Sequence, residues 1–201
     1  MIQTQLNSIS RIEPCSRSRQ TLDRDNASPI SGETCYDKAC VLAQSGDYES
    51  AIKLLQDSRR TTETRDLLGV CLMRSGKLAE AVQVYRQLVL IPGSVMERPE
   101  IIDSCKRNFA TALLMAGLPS GTLDVLSATA DKNHPVAIHL RDCIKRWETT
   151  LSFFRRLDWK TGRIEPKNCV VPIDFEPGEI TASVVTSESK TETPQPPVLA
   201  A

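Results

Sequence analysis

Aromatic side chains make up only 4% of this 201-residue chain, and histidine occurs twice. No run of about 18 apolar residues occurs, the length a helix needs to cross a bilayer. Lys plus Arg and Asp plus Glu are 25 each, so the formal net charge is zero. The bulk positive charge on which nucleic-acid binding leans is therefore missing. The seven cysteines are odd in number and contain no Cys-x-x-Cys. Most fall in helical patterns, where a thiol behaves as a small hydrophobe. They are expected to be reduced thiols of a cytoplasmic protein rather than a disulfide framework. Phosphate-loop, Gly-x-Gly-x-x-Gly, Gly-x-Ser-x-Gly and His-Glu-x-x-His patterns are all lacking. No cofactor is expected.

What is present is internal repetition. Gly46-Asp47-Tyr48-Glu49-Ser50-Ala51-Ile52 returns as Gly76-Lys77-Leu78-Ala79-Glu80-Ala81-Val82, and more faintly as Gly117-Leu118-Pro119-Ser120-Gly121-Thr122-Leu123. Each copy lies between two runs of helical periodicity, as the turn of a helical hairpin does. The first run carries Tyr36, Ala39, Cys40 and Ala43 and ends at Ser45-Gly46. The next carries Tyr48, Ala51, Ile52 and Leu55 to about Arg59. Thr61–Ser75 and Leu78–Leu90 repeat the two patterns. Ile91-Pro92-Gly93 stops the fourth run, because proline lacks a donor and clashes with the preceding turn. Pro99 is expected to open a longer fifth helix to about Ala116. A sixth runs from Pro119 to about Ala130. A seventh is expected from Pro135 to as far as Leu157.

Within each hairpin two small residues lie twelve apart: Ala39 and Ala51, Gly69 and Ala81, Ala110 and Thr122. Antiparallel helices approach closely only where facing side chains are small. Outside the helices, 1–31 is polar, has no signal-peptide apolar stretch, and is expected to be disordered. Its Arg11, Arg17 and Arg19 lack the periodicity of a transit peptide. Residues 32–160 form the helical domain, 161–182 an extended Pro-containing segment, and 183–201 a disordered tail rich in Ser, Thr, Glu and Pro.

At Leu68-Gly69…Leu72…Gly76…Ala81…Tyr85 and Asn108-Phe109-Ala110…Leu113…Gly117 the sequence resembles the tetratricopeptide repeat family. The resemblance covers about 33–130, as three degenerate repeats. It departs from the family in spacing: the turn glycines are not at the usual interval of about 34 residues. The resemblance implies an all-α fold, a right-handed superhelical stack of helix–turn–helix repeats with a C-terminal capping helix. It also implies that first helices line a concave groove holding a peptide or helix of a protein partner. The matching positions are Tyr36, Cys40, Ala43 and Gln44, then Asp66, Val70, Met73 and Arg74, then Arg107, Thr111, Leu114 and Met115. Met adapts its shape to varied partners, and the two arginines suit a carboxylate or backbone carbonyls. A clamp for chaperone C-termini is disfavoured, because Tyr36 and Cys40 stand where Lys and Asn would be needed. Asn108 does sit near one expected polar position.

The expectation is a non-catalytic protein–protein interaction module with no metal and no nucleic acid. A second reading comes from Trp147, Phe153, Phe154, Leu157 and Trp159, which alternate with basic residues across 145–163. That composition suits a membrane interface, and implies a peripheral membrane-associated assembly factor. Its apolar residues span more than half a helix circumference, which instead suits a cap buried on the last repeat. His139 and Cys143, four apart, are a weak catalytic or metal candidate without a third ligand or orienting group. Residues 164–180, with Pro166, Pro172 and Pro177, are expected to lie along the helices or in the chain's own groove. In the groove they would compete with an external ligand.

Overall fold

Each repeat turn closes through one recurring hydrogen-bond pattern. After the first helix of hairpin two, Gly76 N–H donates to Met73 O and Lys77 N–H to Leu72 O; Gly46 with Asp47, and Gly117 with Leu118, do the same. Gly76 sits at φ +80°, the left-handed region that a side chain enters only at a cost. That is why glycine marks all three turns. In the computed structural model of the chain, residues 34–180 are described. The chain divides into two units, 1–32 and 33–201, and the described residues all belong to the second. The segments 1–31 and 183–201, expected to be disordered, lie outside the described residues.

Eight helices are described: α1 (Cys35–Gln44), α2 (Tyr48–Asp57), α3 (Thr62–Arg74), α4 (Leu78–Val89), α5 (Asp103–Met115), α6 (Pro119–Ala128), α7 (Pro135–Thr150) and α8 (Phe153–Gly162). No strand occurs among the described residues, only an isolated bridge between Leu90 and Glu97. Their starts are locally encoded. Thr34 and Thr61 form capping boxes with Asp37 and Thr64, Asp47 caps α2 through Ser50 N–H, and Pro119 and Pro135 occupy first-turn positions.

Hairpins form between α1 and α2, α3 and α4, and α5 and α6; α2 packs on α3, and α4 on α5. This is an all-helical repeat stack. The first helices also meet one another, since α3 touches both α1 and α5, and α5 touches α7. They make one continuous face. The small pairs are buried inside the hairpins. Thr122 Oγ1 donates to Ala110 O at 3.2 Å across one such crossing. A Cβ at Gly69 would run into the ring of Tyr85 on α4.

Two helix boundaries differ from expectation. The fifth helix starts at Asp103, not Pro99. Arg98 N–H donates to Val89 O and Ile91 N–H to Met96 O, so 90–98 doubles back before the chain can turn helical. This loop holds the extra residues that spread the second and third turn glycines apart. The expected seventh helix to Leu157 is two helices, broken at Leu151 and Ser152, both extended. Thr149 and Thr150 hydroxyls bond back to Arg146 O and Trp147 O, and Arg156 takes the carbonyls of Glu148, Thr149 and Leu151. The break folds α8 back, placing Trp159 edge-on to Trp147 at 5.2 Å between centroids.

Candidate functional site

The face made by the first helices carries an unusual number of buried polar groups for a helical core. Asp66 on α3, and Arg107, Asn108 and Thr111 on α5, are all buried. Buried polar groups need partners, and here three of them share one network. Tyr85 Oη, from α4, donates to Asp66 O at 2.9 Å and Asp66 Oδ1 at 3.0 Å. Asn108 Nδ2 donates to the same Oδ1 at 3.0 Å. Burial pushes the Asp66 carboxyl up, against the pull of Asn108 and Tyr85. Thr111 instead donates to Arg107 O of its own helix.

Across this face runs the extended segment 164–180. Its course is set by contacts distant in sequence. Glu165 accepts from the Ser120 backbone N–H at 2.9 Å and from the Ser120 hydroxyl, at the start of α6. The Cys169 carbonyl lies against Gly117, where a Cβ would strike it. Asp174 pairs with Arg146 at 2.9 Å, which holds the Asp174 carboxyl below its ordinary range. Phe175 packs on His139 at 6.0 Å between ring centroids.

The densest contacts fall at residues 176–179. Arg74, at the end of α3, uses all three guanidinium nitrogens: Nη1 to Glu176 at 2.6 Å, Nε to Pro177 O at 2.9 Å, Nη2 to Gly178 O at 3.0 Å. Arg107 makes a fork to the Glu179 carboxylate at 2.7 and 3.0 Å. Such planar, two-point pairing is what a guanidinium does better than an ammonium. Asn108 closes a second fork on the backbone: Glu179 N–H donates to Oδ1 at 2.7 Å, and Nδ2 donates to Glu179 O at 2.9 Å. Asp66, an acceptor, fixes which way that amide faces. Gly178, at φ +81°, lies flat on Val70 and Met73, and a Cβ there would collide with both. The segment runs from the C-terminal ends of the first helices toward their N-terminal ends.

Of the residues expected to line a groove, Arg74, Arg107, Val70 and Met73 meet the segment directly, and Asp66 meets it through Asn108. Thr111 and Leu114 are buried in α5, Met115 is half-buried, and Gln44 is exposed at the end of α1. Tyr36 lies away from the segment's contacts, in a cleft of about 270 Å³ with Thr61, Glu63, Asp66, Ile102 and Cys105. Sequence reasoning noted Asn108 but left it off the groove, and missed Tyr85 and Arg146. The available signal was an asparagine in an otherwise apolar stretch, next to an arginine.

The other candidates resolve into packing. Cys143 is buried, receives Arg146 Nη2 at 3.2 Å and faces Asp174 at 3.7 Å, while His139 holds Phe175. Trp147 and Trp159 are each 5% exposed, whereas Phe153 and Phe154 are 75% and 76% exposed. The aromatic–basic stretch is thus not one surface: its tryptophans are core and its phenylalanines are outside. No helix among the described residues is long and apolar enough to cross a membrane.

These features define a helical-hairpin repeat protein, with the segment 164–180 packed on the face of its first helices. The tetratricopeptide repeat family profile matches residues 32–58, the first hairpin. That match and the stacked helices that follow fit a tetratricopeptide-like repeat protein. Repeats of this kind serve protein–protein interaction. No curated protein and no solved structure matches the chain.

Proposed function

We propose that this protein is a non-catalytic interaction module that takes an extended peptide of a protein partner on the face of its first helices, with Arg74, Arg107 and Asn108 as anchors and Val70 and Met73 as floor. It works in a reducing, cytoplasmic setting, in keeping with six unpaired thiols among the described residues. One observation carries this reading: a non-helical stretch of the chain, bent at Pro177 and Gly178, already lies there, gripped at its backbone and at two carboxylates. Side chains that satisfy backbone groups of an extended chain supply affinity without regard to its sequence, and pockets and charges supply the choice of partner. Tyr36, Gln44, Thr111, Leu114 and Met115 belong to the same face in this reading.

Affinity purification with the wild-type chain and with Arg107→Ala/Asn108→Ala tests it. Partners lost on substitution, but kept when exposed Phe153 is changed, are groove ligands. An unchanged partner set moves the interaction elsewhere.

A membrane-docked assembly factor is the second reading, favoured by one patch only. Phe153, Phe154 and Leu157 stand exposed on α8 beside Arg155. It predicts binding to anionic vesicles that depends on the phenylalanines, not on the buried tryptophans.

A further inference from the structure

The contacts at 176–179 are those of a reader on a short linear motif. Each of four consecutive residues touches the face, and three of them are held through features of the side chain or of glycine itself. Glu176 is fixed by charge on Arg74, and Pro177 by its carbonyl alone. Gly178 is fixed by its left-handed backbone and by the want of room above Val70 and Met73. Glu179 is fixed by charge on Arg107 and by both backbone groups on Asn108. Proline donates nothing and is not enclosed, so that position is free. The pattern is carboxylate, any residue, glycine, carboxylate.

The occupant is only partly covered, with Cys169, Ile173, Phe175 and Ile180 packed against the core. Across 164–180 only Val171 is buried, and the Glu176 side chain is 70% exposed. An ion pair this exposed contributes little, whereas the Arg107–Glu179 pair is largely covered, its side chains 9% and 29% exposed. The groove side is the reverse: Arg107, Asn108 and Asp66 are buried while the segment is in place. A helical core gains nothing from burying an arginine and an asparagine whose partners come from a surface segment. A binding face does, because it must meet an incoming chain that supplies those partners.

Resting on the reading of this face as a binding site, we infer that the partner presents an extended acidic peptide of the pattern carboxylate–x–Gly–carboxylate, and that Glu176–Glu179 is the chain's own copy of it, which must leave for the partner to enter. Tethering sets the balance. A segment joined to its site by a short connection competes at an effective concentration on the order of millimolar. A free peptide of equal intrinsic affinity therefore binds the intact protein weakly, and binds well once the tethered copy is disabled.

The test uses the full chain and a fluorescein-labelled synthetic peptide spanning residues 171–180, read by anisotropy. Wild type is compared with a released variant carrying Glu176→Ala, Gly178→Val and Glu179→Ala, whose helices are checked by circular dichroism and thermal melting. The released variant is expected to bind the peptide at least ~10-fold more tightly than wild type. Adding Arg107→Ala to it abolishes binding. A peptide with valine for the glycine, or alanine for the second glutamate, is expected not to bind. Equal binding by wild type and released variant, lost with Arg107→Ala, overturns the competition and leaves the groove reading standing. Equal binding of the valine peptide overturns the motif. A folded released variant that ignores the peptide makes the segment a fixed strap and overturns the inference; the groove reading then falls only if the purification above also shows no loss of partners. Wild type sedimenting as a dimer that dissociates on release would assign the occupant to a second copy and overturn the external partner.

Discussion

The side-chain amide of Asn108 takes both backbone polar groups of Glu179, accepting its N–H at 2.7 Å and donating to its carbonyl at 2.9 Å. A neighbouring strand would offer an extended chain the same two bonds. The amide can do this because its second N–H is taken by Asp66, which is itself held by Tyr85 on another helix. Three helices, α3, α4 and α5, are thus linked to one residue of the segment.

Replacing Asn108 should therefore act on the segment as well as on stability. Asn108→Ala leaves both backbone groups of Glu179 without their partner and removes one of the two donors to Asp66 Oδ1, a loss of about 1–3 kcal/mol. Hydrogen exchange should speed up across 171–180 while α1–α4 stay protected. Asn108→Asp should be worse, since it sets a second carboxylate against Asp66.

Asp66 gives a pH signature. Its folded value is raised above the ordinary 3.8, chiefly by burial, with Glu179 adding to the rise and Tyr85, Asn108 and Cys105 opposing it. The folded state then keeps a proton that the unfolded chain has released. Stability from this group therefore falls as pH rises from the unfolded value through the folded one. Asp66→Asn keeps an acceptor for Tyr85 and Asn108 but cannot titrate. Thermal melts over that window should show the variant gaining on wild type as pH rises. A constant difference would mean that Asp66 does not carry the slope.

The three turn glycines should not tolerate alanine equally. At Gly46 and Gly76 an added Cβ meets open space, so only the left-handed backbone is penalised, about 1–2 kcal/mol. At Gly117 the same methyl also strikes the Cys169 carbonyl. Gly117→Ala should cost more, and should be the only one of the three to raise protease sensitivity near residue 169.

Trp159→Ala removes a buried ring from an edge-to-face pair and should cost about 3–5 kcal/mol in denaturant unfolding. Phe153→Ser with Phe154→Ser should leave stability within roughly 0.5 kcal/mol. If phosphatidylserine vesicles sediment the wild-type chain but not this double variant, the membrane-surface reading gains over the peptide groove.

Much of the helical architecture was legible because it is local. Gly76 with Met73, Lys77 with Leu72, Thr34 with Asp37, and Asp47 with Ser50 all act within five residues, so the turns and the starts of α1, α2 and α3 are written in neighbouring residues. The break at Leu151 was not legible. Periodicity continues through it, and what breaks the helix is threonine hydroxyls turning back on carbonyls and Trp159 returning to Trp147. Val70, Met73, Arg74 and Arg107 were named through the resemblance, and 164–180 was expected along the helices or in the groove; which residues of that segment meet which of these four was not legible.

The sequence by itself determined the stack of helical hairpins and which helix faces look inward, because period, caps and left-handed glycines are properties of adjacent residues. The tertiary structure alone decided that Glu176–Glu179 lies across Arg74, Arg107 and Asn108. Those pairs stand 71 to 104 residues apart. Nothing local couples an arginine near the end of one helix to a carbonyl in a distant segment; only the packed helices bring the charges and the backbone to one place.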